Sequence, residues 1–447
     1  MNIHRTHPLP ASAVVRWVTV LLVLGLLFFL FSLPGSAVFP AGPWLWLLLF
    51  AWFLLLWSLI ILSNRAQRER TEKSLRMLPP EEQPPVVREV MEVHLAEEDH
   101  GVQIFRGKLR AAASEVFERL KPAFAPGGMP FLQKDERCGA AIIVLPRPLE
   151  RATMEHRVRP WLHGLLFGLT LLTTTWAGAA QAGVNLLAEP GRFAVGLPYS
   201  LTLLAILGVH ELGHYWVARR YQMDVTPPYF VPVPFALGTF GAFIQMRSPS
   251  ENRRMLFDVA VAGPFAGLII AIPALLVGLH YSTVLTAVEA DAATQGTSTG
   301  SSILFALLAK LSLGDALPPG GAVQLGPLAF AGWLGLFITG LNLLPIGQLD
   351  GGHIARAMFG SRGGMIISVI AMWSLVLLGI FVWPGLLVWA LLIFFIAGRG
   401  TPPLNDLTPV GHRRLWLGFL AFLILLLVMV PVPRMLIEAL RVHSPYF

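Results

Sequence analysis

Apolar runs long enough to cross a bilayer limit what this chain can fold into. A hydrocarbon core about 30 Å thick is spanned by roughly 17 to 25 apolar residues in a helix, which alone satisfies its own backbone in lipid. Such runs fall at residues 17–33, 44–62, 161–180, 198–218, 255–279, 328–344, 365–382, 385–398 and 415–430. The run at 385–398 is short and follows Trp383 and Pro384. Residues 303–313 are shorter still and hold Lys310, which reads as an interfacial or distorted half-span. Only 13% of the residues are charged, against about 25% in soluble domains. The expected fold is an all-α polytopic membrane protein of about nine transmembrane helices.

Loop charge orients the bundle. Arg65, Arg68, Arg70, Lys73 and Arg76 follow the second run, and Arg219, Arg220, Arg247, Arg253 and Arg254 cluster later. The loop at 281–302 carries Glu289 and Asp291 but no Lys or Arg. The positive-inside rule then places the N-terminus and the basic loops in the cytoplasm, in a membrane read as a bacterial inner membrane. The first run also fits a signal peptide, but a second apolar run follows at once, so it reads as an uncleaved anchor. The net charge of +7 is explained by these loops, and no basic stretch interleaved with aromatics suggests nucleic acid. The single cysteine, Cys138, excludes an intrachain disulfide and a multi-thiolate metal site.

Four segments follow: a two-helix membrane anchor at 1–62, a cytoplasmic module at 63–160, a membrane core at 161–400, and a linker with a final helix and tail at 401–447. The module opens on a Pro-rich hinge, LPPEEQPP. Strand-like GVQIFRGKL, amphipathic AAASEVFERLKPAFA, and strand-like MPFLQKD and GAAIIVLPRP follow. That is a small α+β unit. It shows no nucleotide loop or catalytic pair, so sensing or docking is its expected role.

Chemistry enters with VHELGH inside the run at 198–218. Ionisable groups at that depth are costly and usually functional. Residues four apart share a helix face, so His210 and His214 can present two imidazoles to one metal at about 2.0 Å. Glu211 lies beside them, placed to take a proton from water. Catalytic zinc needs a third protein ligand and an open position. Asp350, in GLNLLPIGQLDGGH near the end of another run, lies roughly 9 Å inside Arg356, and the histidines lie roughly 8 to 14 Å inside Arg219. The matching depths suggest one site. His353 competes with Asp350 as ligand but sits nearer the basic boundary. Gly351 and Gly352 are expected to loosen the helix and aim the carboxylate inward.

The paired motifs HELGH and NLLPIGQLDGG, with AVAGPFAGL between them, resemble the site-2 protease family of intramembrane zinc metalloproteases. The resemblance covers residues 198–357. SPSENRRMLFDVAVAGP, TPPLNDLTP and the preceding module look like the plant and cyanobacterial branch related to the ethylene-dependent gravitropism-deficient and yellow-green proteins. The family implies one zinc per chain on His210, His214 and Asp350, with Glu211 as catalytic base. It also implies single-span or polytopic membrane proteins as substrates, cut within the lipid bilayer.

TPPYFVPVPFALGTFGAFIQM is apolar but broken by prolines and glycines, so it cannot be a regular helix. It reads as a re-entrant β-like loop, either holding substrate by strand addition, with Phe240 and Gly241 as contacts, or purely structural. Asn342 either bonds substrate or the oxyanion, or caps a broken helix, and Pro345 shares that ambiguity. The expected function is intramembrane proteolysis. The rival is a zinc transporter or channel using the same His/Asp cluster. The substrate, its signal and the oligomeric state are not encoded legibly.

Overall fold

The structure, a computed structural model, describes residues 76–99, 101–125, 127–146, 159–234, 237–285, 302–316, 322–381, 385–396, 398, 400 and 402–432. The two N-terminal runs, the N-terminus and most of the loop at 281–302 lie outside these residues. The chain divides into two compact units, residues 76–371 with 399–447, and residues 1–75 with 372–398.

The soluble module is an antiparallel sheet backed by helices. Its strands are β1 (Arg76–Met77), β2 (Met91–Asp99), β3 (Val102–Leu109), β4 (Gly128–Asp135) and β5 (Gly139–Pro146), in the order β1-β2-β3-β5-β4. The helices are α1 (Pro85–Val90) and α2 (Ala113–Phe124). Val116, Phe117 and Leu120 fall on one face of α2 and bury against Phe105, Leu132 and Ile142. Because side chains alternate across a strand, β4 and β5 turn Phe131 and Ile143 to the opposite face. The β2–β3 register shifts at Val93 and Leu95. Beside that bulge a Cβ on Gly107 would sit 1.9 Å from the Glu92 carbonyl oxygen, so only glycine fits there.

The membrane core begins with α3 (Pro160–Gln181), a short 3-10 turn (Pro190–Gly196) and α4 (Leu197–Arg220). A hairpin of β6 (Tyr229–Pro232) and β7 (Thr239–Phe243) precedes α5 (Arg253–His280). Then come β8 (Thr283–Leu285), α6 (Ile303–Leu313), β9 (Ala322–Gln324), α7 (Pro327–Asn342), α8 (Asp350–Phe381), α9 (Gly385–Ile396) and α10 (His412–Met429). The Asn252 side chain caps α5 by accepting from the Met255 N–H. Small residues let the central helices touch, as membrane helices require. A Cβ on Gly332 would meet the Leu275 nitrogen at 2.6 Å, and one on Gly335 would meet Ile206 at 2.8 Å.

Of the nine expected spans, the first two lie outside the described residues. Among the described residues four helices are long and apolar enough to cross a membrane: Pro190–Arg220, Arg253–His280, Asp350–Ile380 and His412–Met429. The runs at 161–180 and 385–398 form helices outside that set, and the run at 328–344 gives the 16-residue α7. Residues 303–313 form an 11-residue helix, too short to span alone. The expected re-entrant loop is the β6–β7 hairpin, tied to α3 and α4. The Thr173 hydroxyl donates to the Gly238 carbonyl at 2.6 Å and the Tyr199 hydroxyl to the Leu237 carbonyl at 2.9 Å.

One segment fastens the module to the core. The Leu132 N–H on β4 donates to the Leu404 carbonyl, and the Asp406 N–H donates back to the Leu132 carbonyl. On the other side, the N–H groups of Leu404 and Asn405 donate to the carbonyls of Ser250 and Glu251. Asn405 is 2% exposed, and its amide donates to the Ala113 carbonyl and the Thr408 hydroxyl. Lys121–Glu251 and Arg362–Glu136 ion pairs cross the same junction. Solvated pairs of that kind hold weakly, so the buried asparagine is the stronger fastening.

Candidate metal centre

Helix α4 buries His210, Glu211 and His214, which are 4%, 8% and 6% exposed. Asp350 reaches them from the first turn of α8, at the end of a spanning-length helix, where a carboxylate is favoured by the helix dipole. Gly351 and Gly352 do not loosen this helix. A Cβ on Gly351 would stand 1.9 Å from the Leu343 oxygen, and one on Gly352 would stand 2.5 Å from the Gly347 oxygen. Both glycines let the first turn of α8 press against the non-helical segment that follows α7. The break in α8 falls instead at Gly360, with φ 79° and ψ 170°. There the Arg253 guanidinium donates to the carbonyls of Ala357 and Met358, each at 2.6 Å. The Asp406 carboxylate accepts from the Ser361 N–H at 3.0 Å.

Three ligand atoms converge. The Nε2 atoms of His210 and His214 are 3.2 Å apart, and each is 3.3 Å from Asp350 Oδ2. His210, His214 and Asp350 form a group that can hold one metal ion. The tautomer of His214 follows from its partner. Its Nδ1 lies 2.7 Å from the Val259 carbonyl oxygen, which can only accept, so Nδ1 carries the proton and Nε2 keeps its lone pair. A Cβ on Gly263 would lie 2.1 Å from His214 Nε2. The small residue in AVAGP is what gives the imidazole its place.

Glu211 Oε1 lies 3.9 Å from His210 Nε2, beside the triad. Its carboxylate accepts from the Ile244 backbone, just beyond β7, so the hairpin orients it. A cavity of about 210 Å³ opens here, lined by the triad, Glu211, Asn342 and His353, and by Ala242, Phe243 and Ile244. Asn342 Nδ2 is 3.4 Å from His210 Nε2. Pro345, Phe240 and Gly241 are not among the lining residues, and Phe240 is 75% exposed. His353 lines the cavity but stands outside the ligand group. The expected β-like loop does reach the site, but through Ala242, Phe243, Ile244 and Met246 rather than through Phe240 and Gly241.

At the basic end of α4, Asp258 joins three helices. The Arg414 guanidinium donates to both its carboxylate oxygens at 2.7 Å, and the Tyr221 hydroxyl donates at 2.5 Å. Burial, and then the bond to Asp258, push the Tyr221 hydroxyl above its ordinary pKa. This clamp holds α5 next to Val259, the residue that fixes His214.

A buried His/His/Asp triad on transmembrane-length helices, with a glutamate adjacent, defines a membrane-embedded metallopeptidase site. Residues 198–383 match peptidase family M50, and the chain carries a domain of that family, the site-2 proteases. It is similar to the probable zinc metalloprotease EGY2, chloroplastic, of Arabidopsis thaliana, with 32% identity covering 74% of this chain and 61% of that protein. The Oryza sativa subsp. indica protein of the same name matches equally, with 32% identity over 74% and 61% of the two chains. The probable zinc metalloprotease EGY1, chloroplastic, of Arabidopsis thaliana is 35% identical over 53% of this chain and 43% of its own. The chain thus spans about three fifths or less of these relatives.

Proposed function

We propose that the chain is a zinc-dependent endopeptidase that cleaves transmembrane helices of membrane proteins, carrying one zinc on His210, His214 and Asp350. The observation that carries this is the ligand triangle. Its edges of 3.2 and 3.3 Å match the edge of about 3.3 Å for a tetrahedron with its centre about 2.0 Å from each vertex. Two nitrogens and one carboxylate oxygen occupy three corners, which leaves the fourth open, as a catalytic zinc site requires. The relatives' names as probable zinc metalloproteases support the same metal.

When bound, zinc acidifies a water and polarises the scissile carbonyl. Glu211 would act as the general base, taking a proton from the attacking water and passing it to the leaving amine. Its tie to Ile244 holds the carboxylate beside the ligand group. His214 is kept in the ligating tautomer by Val259. Asn342 has an N–H close enough to the site to donate to the oxyanion. The membrane core at 161–400 holds this machinery, the module at 63–160 docks on it, and the substrates are single-span or polytopic membrane proteins. The chain is an integral membrane protein. The bacterial inner membrane expected from the sequence is at odds with the chloroplastic relatives, and the bilayer itself is common to both readings.

A zinc transporter built on the same cluster is the weaker reading, since a transporter does not need a carboxylate poised beside its metal ligands. The deciding variant is Glu211→Gln, which keeps the hydrogen-bonding shape but cannot accept a proton. Peptide cleavage should fall by at least about 100-fold with zinc content unchanged. Retained turnover, or zinc flux across vesicles in its place, would refute the assignment.

A further inference from the structure

A second cavity, of about 540 Å³, lies between the soluble sheet and the membrane core. Its roof is the outward face of β4 and β5, with Phe131, Ile143 and Leu145, and its floor is the chain from Met246 to Ser250. Met246, Leu256 and His353 line both this cavity and the one at the metal centre. The two spaces therefore adjoin at a waist made of those three side chains. At 210 Å³ the metal cavity is below the roughly 300–1,000 Å³ of ordinary ligand pockets, whereas the second falls within that range. The reacting bond and its nearest atoms fill the first, so a polypeptide passing through must continue elsewhere.

The waist also carries an unanswered polar atom. His353 is 9% exposed, and its Nδ1 has no hydrogen-bond partner within the protein. Buried polar atoms are almost always paired, and a peptide group threading the waist would pair this one. The lining of the wider cavity is mostly apolar above, which suits hydrophobic side chains of an extended chain. Its roof is held in place by the buried Asn405 fastening.

We propose that this cavity seats the extended, apolar flank of the polypeptide being cut, on one side of the scissile bond, with His353 bonding its backbone at the waist. The proposal rests on the proteolytic reading above and adds a substrate-reading role for the soluble sheet. Because Arg247 also lines the floor and would attract a carboxylate, the discriminating comparison is an apolar flank, which should be preferred, against an uncharged polar one.

The probes are two single-span membrane proteins that differ only in a four-residue flank, Leu-Val-Leu-Ala or Asn-Ser-Asn-Ser. With the full chain in lipid nanodiscs, Ile143→Trp should fill the cavity. It should lower kcat/KM for the apolar probe by about tenfold, the scale of one apolar side chain losing its pocket, and leave the uncharged polar probe unaffected. Zinc content and thermal midpoint report whether the variant folds. A photo-crosslinking residue at the partly exposed Leu145, in the Glu211→Gln background, should capture the apolar probe without turnover. If the wild type cuts both probes equally, or Leu145 captures only lipid or nothing, this inference falls while the protease assignment stands. If the wild type cuts neither, the crosslink still decides the cavity, and the protease assignment is what fails.

Discussion

Gly263→Ala tests the site through a single methyl group. By helix propensity alone the change should stabilise α5 by about 1 kcal/mol. Packing predicts the opposite. The new Cβ would lie 2.1 Å from His214 Nε2 and 2.5 Å from Cδ2 and Cε1, where ordinary contact begins near 3.4 Å. The imidazole or the helix must give by about 1.3 Å. The helix has little room, since the facing Gly213 is itself packed so that a Cβ would meet the Ala262 oxygen at 2.6 Å. His214 therefore moves, and it loses both its Val259 partner and its place in the triangle. A misplacement of about 1 Å can cost about 100-fold, or about 2.7 kcal/mol of transition-state stabilisation. Metal affinity should fall by about 10- to 100-fold, as for other losses of ligand orientation. Gly267→Ala is the control, because its Cβ would meet His210 at 3.3 Å, a contact relieved by a few tenths of an ångström. Zinc per chain by elemental analysis and kcat/KM on a single-span substrate should drop sharply in the first variant and by less than about tenfold in the second. Full zinc and full turnover in Gly263→Ala would refute the tight-packing account of His214.

Three further outcomes follow from the same contacts. The double variant His210→Ala with His214→Ala should carry no zinc, and Asp350→Ala should bind it weakly; elemental analysis with undiminished metal in the double variant would move the site elsewhere. Asn405→Ala leaves the Ala113 carbonyl and the Leu407 and Thr408 N–H groups without their partner, at about 1–3 kcal/mol for each buried group stranded. Amide exchange at Leu132 and Ser361 should quicken, while protection across α4 stays. Arg253→Met removes both donors from the end of the Asp350-bearing helical segment, so zinc affinity should weaken without any ligand being touched; unchanged affinity would show that the segment needs no cap.

Local signals in the sequence fared well where one chemistry dominated. HELGH sits on a helix because its neighbours are apolar and its spacing matches one face, and the partner carboxylate was found by depth. The α2 stripe and strands β3, β4 and β5 of the module read directly from periodicity, whereas β1 and β2 did not. What failed was geometry set by contacts distant in the chain. The first turn of α8 was misread because Gly351 and Gly352 look like breakers in a one-dimensional pattern. They serve instead to admit the Leu343 and Gly347 carbonyls, which no local rule reveals. The span count is harder to read, because apolar runs record burial from water, and buried protein helices such as the 16-residue α7 satisfy that as well as lipid does.

The fastening at residues 402–408 changes how the soluble module has to be understood. The sequence suggested a sensing or docking module that opens on a Pro-rich hinge. The backbone bonds of Leu404, Asn405 and Asp406 join β4 to the chain entering α5, and the Asp406 carboxylate reaches Ser361 at the break in α8. Arg253, at the start of α5, closes the other side of that break. On the core side these bonds end at Ser250 and Glu251, which lead into the helix carrying Val259, and at Ser361, in the helix that begins at Asp350. A force on the sheet is thereby carried by hydrogen-bonded backbone to the helix that begins at Asp350.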